Sequence, residues 1–344
     1  MKSSYILLLF LFIGGREPFP IVTEAVSALP MEVATTEESV AFITGFDEGD
    51  TTYYAKAREY FETRNIPVIT HLFSLEEIVL WLNQNSNKQK RFDEIHIVSH
   101  GNPWLGMSLK TNKFGERTSV KTLGSALATG KIPKVRNTIT ACTKIIFHSC
   151  GLGENRALMQ ELKQVFTAEE APKVYASSFF NIFGGKYAAH YLAKPYYGYY
   201  PTAESPGPRA LSETFKANYP HVDIDWFTAL KTRQEHRFGK AYSYKFNIPV
   251  DWEFTFDAGT EISGFETREV LMDWLVENEA VAEALFQLGI PIEKYRWKSF
   301  VEGRILYVKG KTTVLCIMQP VMEVKDPSEY RTLHLNDTEL YQIL

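Results

Sequence analysis

The chain is poor in cysteine, in long apolar runs and in net charge, and each shortage excludes something. Only three cysteines occur in 344 residues: Cys142, Cys150 and Cys316. An odd, scattered set gives no disulfide framework and no paired CxxC metal motif, so each thiol is judged by its surroundings. The formal charge of -4, from 37 basic and 41 acidic residues, offers no basic excess to draw a nucleic acid. The apolar run at the N-terminus, Tyr5 to Ile13, stops well short of the ~20 residues that span a bilayer. Over 215–344 there is no internal repeat, low-complexity tract or chemical motif.

That N-terminal run, "MKSSYILLLFLFIGG", has the pattern of a secretory signal peptide: a lysine, a short apolar core, then glycine. The expectation is an exported protein with a signal over 1–15; the bland alternative is a buried N-terminal strand. Residues 16–38 carry three prolines and no periodicity, and read as a linker or pro-segment. With 45% hydrophobic residues the chain can bury a sizeable core and is long enough for two domains.

From residue 39 short β-branched runs alternate with amphipathic stretches, the βαβ signature of a parallel sheet covered by helices. Strands are expected at 39–47, 67–73, 93–101, 144–150 and 173–180. Between them, helices follow at about 51–64, after a Ser74/Glu77 capping box, at Val120–Leu127 and after Cys150. The aromatic run 191–200 reads as a sixth strand, at an edge because of Pro195. Residues 201–214 read as a linker. Beyond them come a long strand over 241–256, one helix over about 267–288 and a hairpin turning at Lys309-Gly310-Lys311. The fold class is therefore α/β over 39–200, a mostly parallel sheet flanked by helices, with a second, smaller α+β domain over 215–344 whose role is open.

In parallel α/β sheets, chemistry gathers at the carboxyl ends of strands. Strand three ends in His100-Gly101, within "IVSHGNPW", and strand four ends in Cys150-Gly151, within "FHSCGLG". A thiol near a helix N-terminus is favoured as thiolate, and a histidine on the neighbouring strand supplies or accepts a proton. The glycines let backbone N–H groups approach an oxyanion. Against this stands the plain reading of Cys150 as a small buried hydrophobe and His100 as packing.

A hydrophobic strand ending His-Gly, followed by one ending in Cys, resembles the superfamily of caspases, metacaspases, legumain, gingipains, clostripain and bacterial CHAT domains. "FHSCGLG" looks closest to the CHAT-like and other bacterial relatives; the Gln-Ala-Cys signature of caspases is absent. The resemblance covers about 39–200. It implies a caspase-like fold, a His100–Cys150 dyad, and an oxyanion hole from the N–H groups of Gly101 and Cys150. It also puts His148, two residues before the cysteine, in the pocket for the substrate side chain preceding the scissile bond, where several members carry Gln, Glu or Asp. Asp47 and Glu48 are candidates for negative charge in that pocket, and Ser177 and Ser178 for another wall.

A metal site competes for the same residues. His148 and Cys150 share strand parity about 7 Å apart, and His100 is a third candidate ligand; His96 lies roughly 13 Å along the strand from His100. No fixed motif spacing supports it. The sequence thus leads to an exported cysteine endopeptidase that takes a polypeptide substrate, without cofactor, nucleic-acid partner or stable membrane span. The alternative is a catalytically silent caspase-like binding or regulatory module.

Overall fold

The structure, a computed structural model, describes residues 36–45, 51–85, 90–136, 139–258, 264–321 and 333–344. The expected signal peptide, nearly all of the 16–38 segment, Asp47 and Glu48 lie outside the described residues. The first strands are β1 (Thr36–Ile43), β2 (Val68–Ile69), β3 (Lys90–Val98), the hairpin strands β4 (Gly101–Asn102), β5 (Gly106–Lys110) and β6 (Arg117–Thr118), then β7 (Lys144–His148) and β8 (Lys173–Ser177). They are followed by β9 (Phe180–Phe183), β10 (His190–Pro201), β11 (Tyr242–Thr255), β12 (Arg296–Glu302), β13 (Ile305–Pro320) and β14 (Tyr341–Ile343). The helices are α1 (Thr51–Glu62), α2 (Leu75–Asn85), α3 (Val120–Ala128), α4 (Arg156–Phe166), α5 (Gly207–Asn218), α6 (Trp226–Lys231), α7 (Arg268–Glu277) and α8 (Glu279–Leu288).

A six-stranded sheet runs in the order β14-β8-β7-β3-β1-β2, parallel except for β14. Parallel sheets bury both faces, so their strands alternate between two apolar environments. Here Phe42, Ile95, Ile97, Ile145, Phe147 and Val174 meet α2, α3 and α4 on one face. On the other, Ala41, Ile43 and Val98 meet Tyr53, Ala57 and Phe61 of α1. The apolar stripe of α2, Leu75, Ile78, Val79 and Leu82, has helical spacing and is buried. Its start is the expected one: Ser74 Oγ accepts the Glu77 N–H at 3.2 Å, while the Glu77 carboxylate takes the Phe73 N–H at 3.0 Å.

A second, antiparallel sheet runs β11-β13-β10-β9, with β12 paired to β13. The result is a mixed α/β architecture with helices around one sheet and a separate sheet beside it. Residues 35–344 form one compact unit. Strand β10 leaves the first part of the chain to pair with β13, and β14, at the C-terminus, closes the first sheet against β8. The two expected domains therefore exchange strands, and α5 fills most of the stretch expected as a linker.

Three local expectations are corrected. Strand β10 is internal to the second sheet, not an edge of the first. Pro195 fits there because Tyr197, of the same parity, turns its N–H away from β13 to the Tyr219 hydroxyl at 2.9 Å. Gly310 is no turn: it lies within β13, where an added methyl would come 2.4 Å from the Trp297 ring. The hairpin turns at Gly303 instead, in the left-handed conformation glycine accepts (φ 60°). The single helix over 267–288 breaks at Asn278, whose side chain caps α8 through the Val281 N–H.

Candidate functional site at the carboxyl edge of the sheet

Strands β3 and β7 are parallel neighbours, and Val98 is paired with His148. His100 and Cys150 each lie two residues beyond that pair, so they leave the sheet at the same height on adjacent strands. Strand alternation gives both the parity of the α1 face. The segments that follow interlock: a methyl on Gly101 would come 2.1 Å from Ser149 Oγ, and one on Gly151 2.8 Å from Pro103. A cavity of about 750 Å³ opens here, and His100, Gly101, Cys150, Asn181, Tyr191 and Tyr242 are among the residues lining it.

The state of Cys150 differs from the expectation. It is 9% exposed, against Phe180, Tyr191, Tyr242 and Met318. Its Sγ–H donates to the Asn181 carbonyl at 3.7 Å, and among the described residues no hydrogen bond joins it to His100. Burial pushes the thiol up to about 12, with the Asn181 backbone offsetting only part of the rise. The helix end that was to favour the thiolate is not at hand. Gly151 turns left-handed (φ 68°), a 3-10 turn covers Leu152–Glu154, and α4 starts only at Arg156, capped by Asn155. The resting thiol is neutral.

His100 is half-buried. Its ring stacks on Tyr53 with centroids 4.4 Å apart, and Tyr54 meets it edge-on at 4.8 Å.

His148 does not serve the pocket. It is buried at 5% and absent from the cavity wall, because its side chain faces α1 beneath the sheet edge. Its Nε2 lies 3.1 Å from His96 Nδ1, and its ring packs on Phe61, Phe183 and His190. His96 Nε2 is 3.6 Å from Glu94, whose other oxygen accepts from Lys144 Nζ at 2.8 Å. On the far side His190 Nε2 lies 3.2 Å from Asn181 Oδ1. Polar groups thus line up from Lys144 at the surface through Glu94, His96 and His148, whose ring meets His190 edge-on, to Asn181, which holds the Cys150 thiol.

Charge is disfavoured at the buried His148 and His190 of that line and favoured at its surface end, on Glu94 and Lys144. Desolvation, with the charges of His96 and His190, holds His148 well below the usual imidazole range. His190, its ring enclosed by Phe183, Tyr60 and His148, falls to about 3 through desolvation and the nearby Arg64 and His96. Glu94 drops to about 2, first through its hydrogen bond to His96, then through Lys144.

The other expected pocket residues are likewise structural or outside view. Ser177 is fully buried and donates to the Leu340 carbonyl at 2.7 Å, holding β14 on β8. Ser178 is half-buried, and neither serine lines the cavity. Trp104 packs on Tyr197, Tyr199 and Phe246 of the second sheet. The competing metal set is not assembled: among the described residues no group of three His, Cys, Asp or Glu is placed to hold an ion. Nor is any helix among them long and apolar enough to cross a membrane.

Sequence reasoning missed Tyr53, Tyr54, Asn181, His190 and the role of His96. Only His96 left a signal, since it shares parity with His100 as His148 does with Cys150. No family model matches the chain, and no curated protein matches it. The molecule is a mixed α/β protein with a cavity, lined by apolar and polar residues alike, where two parallel strands end in histidine and cysteine.

Proposed function

We propose that the protein is an exported cysteine endopeptidase of the caspase-like superfamily, working through Cys150 and His100. The observation that carries the reading is the Val98–His148 register, which sends the two residues off adjacent strands at one height beside a common cavity. The mostly parallel, helix-flanked sheet is the frame the resemblance asks for.

The chemistry starts from a neutral thiol. On substrate binding the Cys150 side chain turns from the Asn181 carbonyl toward His100, which takes the Sγ proton as sulfur attacks the peptide carbonyl. The N–H groups of Gly101 and Cys150 face the oxyanion. His100 returns its proton to the leaving amine, and water then hydrolyses the thioester to release the acid and restore the thiol.

A second reading, a silent module of the same fold, is favoured by one observation: Cys150 is buried and its proton is held by Asn181. Cleavage of a diverse peptide library by the purified protein separates the two. The peptidase reading expects cleavage that Cys150→Ala abolishes; cleavage unchanged in that variant, or none at all by folded protein lacking residues 1–35, supports the silent module.

A further inference from the structure

Two consecutive tyrosines of α1 enclose His100. Tyr53 lies against the imidazole face, its ring plane 28° from the imidazole's, and Tyr54 meets the edge at 63°. Both hydroxyls are anchored. Tyr53 Oη donates to the His148 carbonyl at 3.0 Å, on the strand that leads into Cys150. Tyr54 Oη accepts the backbone N–H of His100, also at 3.0 Å.

Adjacent helical residues point about 100° apart, so both reach one ring only when it sits across the first turn of α1. Gly45 makes the space: a methyl there would come 1.7 Å from Tyr54 Oη. The His148 carbonyl is itself a firm anchor, since His96 and Phe61 pack the ring of that residue in place.

We propose that Tyr53 and Tyr54 form a clamp that positions His100, with the Tyr53 hydroxyl tying the imidazole plane to the strand that carries Cys150. Its catalytic meaning rests on the dyad reading above. An aromatic face favours a cation lying on it, so Tyr53 supports the imidazolium that forms when His100 takes the thiol proton. Tyr54 fixes the backbone from which that ring projects. Neither tyrosine exchanges a proton with substrate; both act through His100.

The test uses the full chain. His100 is titrated by NMR from about pH 5 to 9, assigned with His100→Gln, and cleavage of the peptide library is followed beside it. Arg117, Lys186, Arg233, Glu235 and His236 share the cavity and contribute the same background to every variant. Tyr53→Leu is expected to lower the His100 midpoint by about half a unit and to remove its ring-current shift. Tyr53→Phe, which keeps the ring and loses the tie to the His148 carbonyl, is expected to retain the midpoint and to diminish the ring-current shift.

Tyr54→Phe, which removes one hydroxyl and keeps the packing, is expected to speed hydrogen exchange at the His100 amide roughly tenfold. An unchanged His100 midpoint and ring-current shift in folded Tyr53→Leu overturn the clamp. Should Tyr53→Leu not fold, unchanged exchange in Tyr54→Phe does so. The dyad reading fails separately, if cleavage of the peptide library is indifferent to His100→Gln.

Discussion

The Cys150 thiol points at the carbonyl oxygen of Asn181, 3.7 Å away, and not at His100. The nucleophile and the base of the proposed dyad share a strand height and a cavity, yet the resting thiol is engaged elsewhere. In the proposed reaction, engagement by substrate, not a standing thiolate, is the first step.

Resting reactivity follows from that. Burial that raises Cys150 to about 12 leaves almost no thiolate near neutral pH. Iodoacetamide is therefore expected to label exposed Cys142 at least tenfold faster than Cys150 in the substrate-free protein. Peptide mapping of the alkylated protein reads the ratio, and preferential labelling of Cys150 contradicts it.

Acid is expected to destabilise the protein in two stages. His148 and His190 are depressed in the folded state, so their neutral forms contribute stability that is full above the ordinary imidazole value of 6.5 and falls away as pH drops below it. Glu94 is also depressed, from 4.5 to about 2, and its contribution is lost across that window. Because Glu94 is partly exposed and screened, it accounts for only about 1 kcal/mol. Thermal unfolding against pH checks this: His190→Gln is expected to flatten the upper stage, and an identical slope in that variant goes against the array.

Close packing behind the cysteine loop makes a further prediction. A methyl on Gly153 would lie 2.6 Å from Ser178 N and 2.7 Å from the Ala176 carbonyl, both backbone atoms that cannot swing aside. Gly153→Ala is expected to cost about 2–4 kcal/mol. Gly264→Ala, with nothing within 4 Å, is expected to stay within about 0.5 kcal/mol. Urea unfolding of the two variants compares them.

Much of the first sheet was legible because parallel strands read as apolar runs and α2 carries both a cap and a clean stripe. The strand ends at His100 and Cys150 were legible for the same reason. The exchange of β10 and β14 between sheets was not, since antiparallel pairing between Tyr197 and Cys316, or Tyr341 and Ser177, leaves no local trace. His148 shows the same limit at the site. Its parity with Cys150 was readable, but the apolar side on which α1 lies was not, and that side makes it a buried strut instead of a pocket wall. Asn181 and the tyrosine clamp depend on contacts across 31 to 95 residues and had no motif to betray them.

The most direct measurement is acid-quenched mass spectrometry of the protein during turnover of a cleaved peptide. The account predicts a peptide acyl group on Cys150 as a thioester in the wild type, and its loss, with cleavage down at least ~100-fold, in His100→Gln. Cleavage that proceeds with no adduct on Cys150, or with the adduct on another residue, contradicts it.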